Sequence, residues 1–135
     1  MTKSNQESKS TSESSEYQDA VNVSRDLLRE IQLSKGLYRD VVNHTHIFNA
    51  AQKIIAFQSF LIGPISDLEQ SYRRIVTSCI ADGMSNAASD AHAKASDDYK
   101  AWRKIERVYS LADEQIKLLK KFSDKMSTDY QNSNA

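Results

Sequence analysis

The residues with the most direct chemical potential are three histidines (His44, His46, His92), two adjacent carboxylate pairs (Asp97/Asp98 and Asp113/Glu114), the single thiol Cys79, and the cations Lys100, Arg103, Lys104 and Arg107. A metal pair on a helix needs ligands four residues apart, so that both rings leave the same face. His44 and His46 are two apart and diverge on a helix. They could share a metal only on an extended segment with His92 as third ligand, which defines one reading, a small metal-dependent enzyme. Neighbouring carboxylates on a helix diverge by about 100°, so the two acidic pairs read as a helix start and a solvated face rather than as a general acid and base. One cysteine excludes an internal disulfide, and its place on an apolar helical stripe makes it a buried thiol. Glycine-rich phosphate loops, nucleophile elbows, Cys-x-x-Cys pairs and dinucleotide fingerprints do not occur. The sequence therefore nominates no catalytic residue, no metal ligand and no cofactor, and points to binding rather than catalysis.

The cations offer a different chemistry. Lys100, Arg103, Lys104 and Arg107 share one side of a helical segment, and Lys117, Lys120, Lys121 and Lys125 return to about that side further on. Such a face can neutralise phosphates or carboxylates, and each phosphate contact steepens salt dependence without selecting sequence. Arg73 and Arg74 would form a second patch if the preceding helix folds back alongside. Tyr99, Trp102 and Tyr109 sit among the first four cations, as in grooves where single-stranded bases stack on aromatic rings. The competing reading puts Trp102 and Tyr109 in the core stripe and leaves the cations solvated, where they suit the negative end of a helix dipole. The formal net charge is zero, so no global field draws in a polyanion and any electrostatic partner must meet a local patch.

The elements that position these residues read as helices throughout. Trp102, Ile105, Val108, Tyr109, Ala112, Ile116, Leu119, Phe122 and Met126 recur three or four residues apart, one face of a 3.6-period helix. Ser96 with Asp97 and Asp98 suits its start, and the alanine-rich run before it suggests one helix over 86–126. That helix would be about 60 Å long, too long for a compact monomer of this size. Self-association follows as the expectation, with Trp102, Ile105, Tyr109, Ile116 and Leu119 as the oligomer interface. Gly63-Pro64 predicts a turn between helices, because glycine suits a helix end and proline the next first turn. The segments before and after it read as helices over 17–62 and 64–82, the first favoured as one bent helix although Asn43-His44-Thr45-His46 could break it. Residues 1–16 carry no large apolar side chain after Met1 and predict a disordered tail. Residues 127–135 predict a frayed one. Neither a secretory h-region nor a run of about twenty apolar residues occurs, so the expected address is the cytoplasm, of the host cell if the chain is phage-encoded, with no membrane partner. The expected architecture is all-α: an elongated helical bundle or hairpin of one domain, 17–126, with a long C-terminal helix.

The segment Ala93-Lys94-Ala95-Ser96-Asp97-Asp98-Tyr99-Lys100-Ala101-Trp102-Arg103-Lys104, continuing through Ala112-Asp113-Glu114-Gln115-Ile116-Lys117-Leu118-Leu119-Lys120, resembles the end of small helical bacteriophage proteins encoded among replication and recombination genes. It is also similar to the C-terminal part of the UvsY-like recombination mediators. The likeness covers the last third of the chain. It implies an all-helical, coiled-coil-forming oligomer that binds single-stranded DNA without sequence preference and assists a recombination or replication protein. The alternative is a helical protein-interaction module, such as a host-defence inhibitor or an assembly adaptor, with no affinity for nucleic acid.

Overall fold

The computed structural model describes the backbone of residues 2–36 and 44–133 and the side chains of 17–36 and 45–125. Four helices follow one another: α1 (Thr2–Lys35), α2 (His44–Ala81), α3 (Asn86–Lys94) and α4 (Asp97–Ser133), with no strand among the described residues. The chain is an elongated all-α bundle whose C-terminal helix is 37 residues long, about 55 Å at the α-helical rise. The side chains of the tails expected over 1–16 and 127–135 lie outside the described residues.

A single spacing rule builds the core. In α1 the buried positions are Ala20, Ser24, Leu27, Ile31 and Ser34, steps of four and three in alternation. In α2 the same rhythm carries the buried Ile47, Ile54, Gln58, Leu61, Leu68 and Cys79, with half-buried Ala51, Ile65, Tyr72 and Ile75 completing it. In α4 it carries Ile105, Ala112, Gln115 and Leu119, with Val108 and Phe122 packed against them. An alternating 3–4 repeat sustained on three helices is the seam of a coiled coil.

Polar contacts fix the directions. Gln58 on α2 reaches Asp113 on α4, while Ser71, further along α2, donates to Asp98, earlier on α4 (2.6 and 2.7 Å). These helices are therefore antiparallel. Gln115 donates to Ser34 across 2.8 Å, and a groove at the level of Val21–Leu28 is walled on its other side by Lys104–Leu111, so α1 and α4 run parallel. The bundle is α1 up, α2 down, α4 up.

Three expected boundaries change. Gly63-Pro64 does not end a helix, because α2 passes through Pro64. Proline inside a helix removes one backbone hydrogen bond and costs about 3 kcal/mol, but Leu61 and Leu68 are both fully buried on either side of it. Continuing the seam through both leucines outweighs the local cost. Where the sequence predicts one bent helix over 17–62, the described residues form two, α1 ending at Lys35 and α2 starting at His44 and running antiparallel to it; the break foreseen near Asn43 lies outside the described residues. The single helix expected over 86–126 is divided at Ala95-Ser96. There Ser96 Oγ accepts from Tyr99 N–H (3.2 Å) and donates to the Ala93 carbonyl (2.6 Å), ending α3 and capping α4 with one hydroxyl. The α2–α3 turn is equally specified. Gly83 has φ 94°, Met84 N–H bonds the Cys79 carbonyl and Gly83 N–H that of Ile80 (both 3.0 Å), the pattern of a Schellman close. Ser85 then caps α3 by accepting from Ala88 N–H.

Candidate functional site

Helix α4 presents different chemistry on its two flanks. On the α1 side, Val21, Leu28, Val108 and Leu111 form the floor of an open groove of about 380 Å³, with Ser24 beside them and Arg25, Lys104 and Arg107 around it. Val21 and Leu28 are seven residues apart on α1, and Lys104, Leu111 and Leu118 are spaced likewise on α4, so the groove follows the coiled-coil repeat. Leu111 and Leu118 are 38% and 51% exposed, large values for leucines beside a core. A shallow hollow lined by Arg103, Lys104, Glu106, Arg107 and Ser110 adjoins it. Arg103 lies 3.6 Å from Glu106. Lys100, Lys104 and Arg107 have no carboxylate within ion-pair distance among the described residues. On the α2 side, a second groove brings Glu69, Glu106 and Asp113 together with Ile62, Ile65, Trp102 and Tyr109. The α1-side groove of α4 thus carries cations while the α2-side groove carries carboxylates, two of which, Glu69 and Glu106, are paired with Arg73 and Arg103.

Lys100, Arg103, Lys104 and Arg107 are all exposed on α4. Arg73 and Arg74 are not brought to them. Arg73 is held by Glu69 at 2.9 Å on α2, and Arg74 borders a separate hollow with Ser71, Cys79 and His92. The proposed second phosphate patch is therefore not contiguous with the first, because α2 turns these arginines away from the α1 side of α4.

Aromatic side chains are committed elsewhere. Tyr72, Tyr99 and Trp102 pack on one another with ring centroids 5.3 to 5.7 Å apart, and Tyr109 packs against the core. The α4 stripe expected to join copies of the chain is consumed within one copy: Ile105 and Leu119 are fully buried, and Trp102, Tyr109 and Ile116 pack against that core. This part of α4 is packed along its length by the three-helix seam.

The other chemical candidates are also placed. His46 lies near the start of α2 and His92 borders a hollow near its end, beside Cys79 and Asp82. They are separated by roughly 45 Å of helix and cannot share a metal. The side chain of His44 lies outside the described residues. Asp98 accepts from Ser71, and Asp113 from Gln58, so one carboxylate of each adjacent pair ties α4 to α2. Cys79 is buried, as its stripe implies.

One polar cluster escaped sequence reasoning. The Tyr72 hydroxyl donates to Asp90, and Lys94 pairs with the same carboxylate at 2.9 Å. The hydrogen bond from Tyr72, then that from Lys94, holds the Asp90 carboxyl below its ordinary range. In return Asp90 raises the Tyr72 hydroxyl and the Lys94 ammonium above theirs. Asp90 and Lys94 are four apart on α3, a legible pair, but their joining to Tyr72 depends on the α2–α3 turn.

The chain matches no protein-family model, no curated protein and no solved structure. Its function must be read from its own surfaces.

Proposed function

We propose that the protein is a non-enzymatic helical binding module whose working surface is the α1/α4 groove, and that its partner is a protein carrying acidic charge. The observation behind this reading is the convergence of Arg25, Lys104 and Arg107 on a floor of Val21, Leu28, Val108 and Leu111. Cations alone suit any polyanion. Apolar side chains between them favour a partner that brings apolar side chains of its own, at about 25 cal/mol for each Å² removed from water, and a nucleic-acid backbone brings none.

A second reading, a phage-type accessory protein that binds single-stranded DNA, draws on the exposed Lys100, Lys104 and Arg107, which have no carboxylate partner among the described residues. It is weakened by the engagement of Tyr72, Tyr99 and Trp102 with one another, since stacking on bases would require free rings. Salt titrations of the full chain against a fluorescent 18-residue amphipathic Glu/Leu peptide and against a single-stranded oligonucleotide separate the two. Peptide affinity should fall at least tenfold both in K100Q/R103Q/K104Q/R107Q and in L28S/L111S. Oligonucleotide binding with a log–log salt slope of about −3, as four single-strand phosphate contacts would give, lost in the charge variant and kept in the leucine variant, would replace the first reading by the second.

A further inference from the structure

We propose that α3 is a latch: it undocks from the bundle as one unit while α1, α2 and α4 stay folded, and in doing so uncovers the α2 surface that carries Tyr72 and Cys79. The inference is independent of the α1/α4 groove, which α3 does not line.

What α3 contributes to the core is slight. Of its nine residues only Ser89 and Ala93 are buried, one hydroxymethyl group and one methyl group. By contrast α1 buries Leu27 and Ile31, α2 buries Ile47, Ile54, Leu61 and Leu68, and α4 buries Ile105 and Leu119. Apolar stabilisation scales with the area removed from water, and a helix of nine residues is too short to persist by itself. One of the two buried side chains also opposes docking. Ser89 is fully buried and its hydroxyl has no hydrogen-bond partner among the described atoms, so undocking returns it to water. Against this stands, among the described residues, one side-chain hydrogen bond from α3 to another helix, donated by the Tyr72 hydroxyl to Asp90. The Lys94–Asp90 pair lies within α3 and fastens it to nothing else.

The unit has defined ends. At the first, Gly83 (φ 94°) closes α2, and the N–H groups of Gly83 and Met84 donate to the Ile80 and Cys79 carbonyls. These bonds belong to α2 and its turn and do not need α3. At the second, Ser96 accepts from Tyr99 N–H and goes on capping α4 when its other bond, to the Ala93 carbonyl, is broken. Ser71 and Asp98 tie the start of α4 to α2 across 2.7 Å with no help from α3. Opening therefore stops at the two turns, which makes α3 a local unit with an opening free energy below that of the whole fold. Beneath it, Cys79 is only 8% exposed and shares one hollow with Ile75 and with His92 of α3, so its thiol reports the open state.

Native-state hydrogen exchange and labelling of Cys79 by a bulky aromatic disulfide, both on the full chain, test the latch. Amides over 90–94 should exchange on the order of a hundredfold faster than those of Leu61 and Leu68, with a weaker dependence on urea because opening α3 exposes less surface than unfolding. Tyr72→Phe should raise α3 exchange and Cys79 labelling together by about tenfold, as loss of a hydrogen bond to a carboxylate predicts, and leave Leu61 and Leu68 unchanged. Ser89→Ala keeps the Cβ and removes the orphaned hydroxyl, so it should slow both by about threefold or more. Exchange of α3 and labelling of Cys79 only at the rate of global unfolding would overturn the proposal. So would a Tyr72→Phe effect spread equally over Leu61 and Leu68, or α3 exchange and Cys79 labelling that respond differently to the two substitutions, because one opening must govern both.

Discussion

Trp102 illustrates how a half-buried aromatic can serve packing while its polar atom goes unused. Its indole nitrogen is buried with no acceptor among the described atoms, and an orphaned donor of that kind costs about 1–3 kcal/mol. Trp102→Phe keeps the ring between Tyr72 and Tyr99 and removes the orphan, so thermal unfolding should shift by less than about 1 kcal/mol in either direction. Trp102→Ala opens a void and should cost roughly 2–4 kcal/mol. Asp90 carries a pH dependence whose sign follows from its lowered pKa. Its contribution is complete above the ordinary carboxylate range and is lost as pH falls through the still lower value of the folded state. The raised Tyr72 hydroxyl works in the opposite range: its contribution is present below the ordinary tyrosine value and disappears as pH rises through the elevated one. Near-UV circular dichroism should thus show an acid change that Asp90→Asn abolishes and an alkaline change that Tyr72→Phe abolishes. Persistence of either change in its variant would detach the Tyr72–Asp90–Lys94 cluster from the docking of α3.

Elements in this chain were legible where a residue's local role and its place in the bundle agree. Ser96-Asp97-Asp98 reads as a helix start and is one, because the hydroxyl that caps α4 acts on neighbours in sequence. Ser96→Ala should cost about 1 kcal/mol, measured by urea unfolding. Gly63-Pro64 misled for the opposite reason. Its local signal is a turn, yet the burial of Leu61 and Leu68 depends on two other helices that no short window contains. Pro64→Ala should accordingly raise stability by up to about 3 kcal/mol, seen as a melting temperature higher by about 10 °C, while leaving the helical signal almost unchanged. A loss of stability would mean that the proline ring contributes packing greater than its backbone cost. Gln58 and Gln115 were overlooked because polar residues on an apolar stripe look like interruptions. They occupy seam positions and bond across helices to Asp113 and Ser34, which gives the register a polar key. The cations of α4 were legible as one face. What was not legible was the half of the groove supplied by Val21, Arg25 and Leu28, some eighty residues earlier in the chain.

At the scale of the whole molecule, a chain whose charges sum to zero still presents a local cationic groove, formed by Arg25, Lys104 and Arg107 on the α1 side of α4. Attraction of an acidic partner to this groove would weaken as salt screens charge, so peptide binding measured at 50 and 500 mM salt should fall across that range in the wild-type chain and change little in K100Q/R103Q/K104Q/R107Q. The parallel course of α1 and α4 carries a mechanical consequence. Tyr17 on α1 and Lys125 on α4 lie toward opposite ends of the described seam, with α2 packed between and against both helices. Tension applied between these residues would drag α1 and α4 past each other along the seam, loading every knob in its hole at once, rather than peeling the helices apart a turn at a time. A rod drawn in that direction resists as a shear joint, and it would hold whatever is attached at its two ends at a fixed separation until the whole seam fails together.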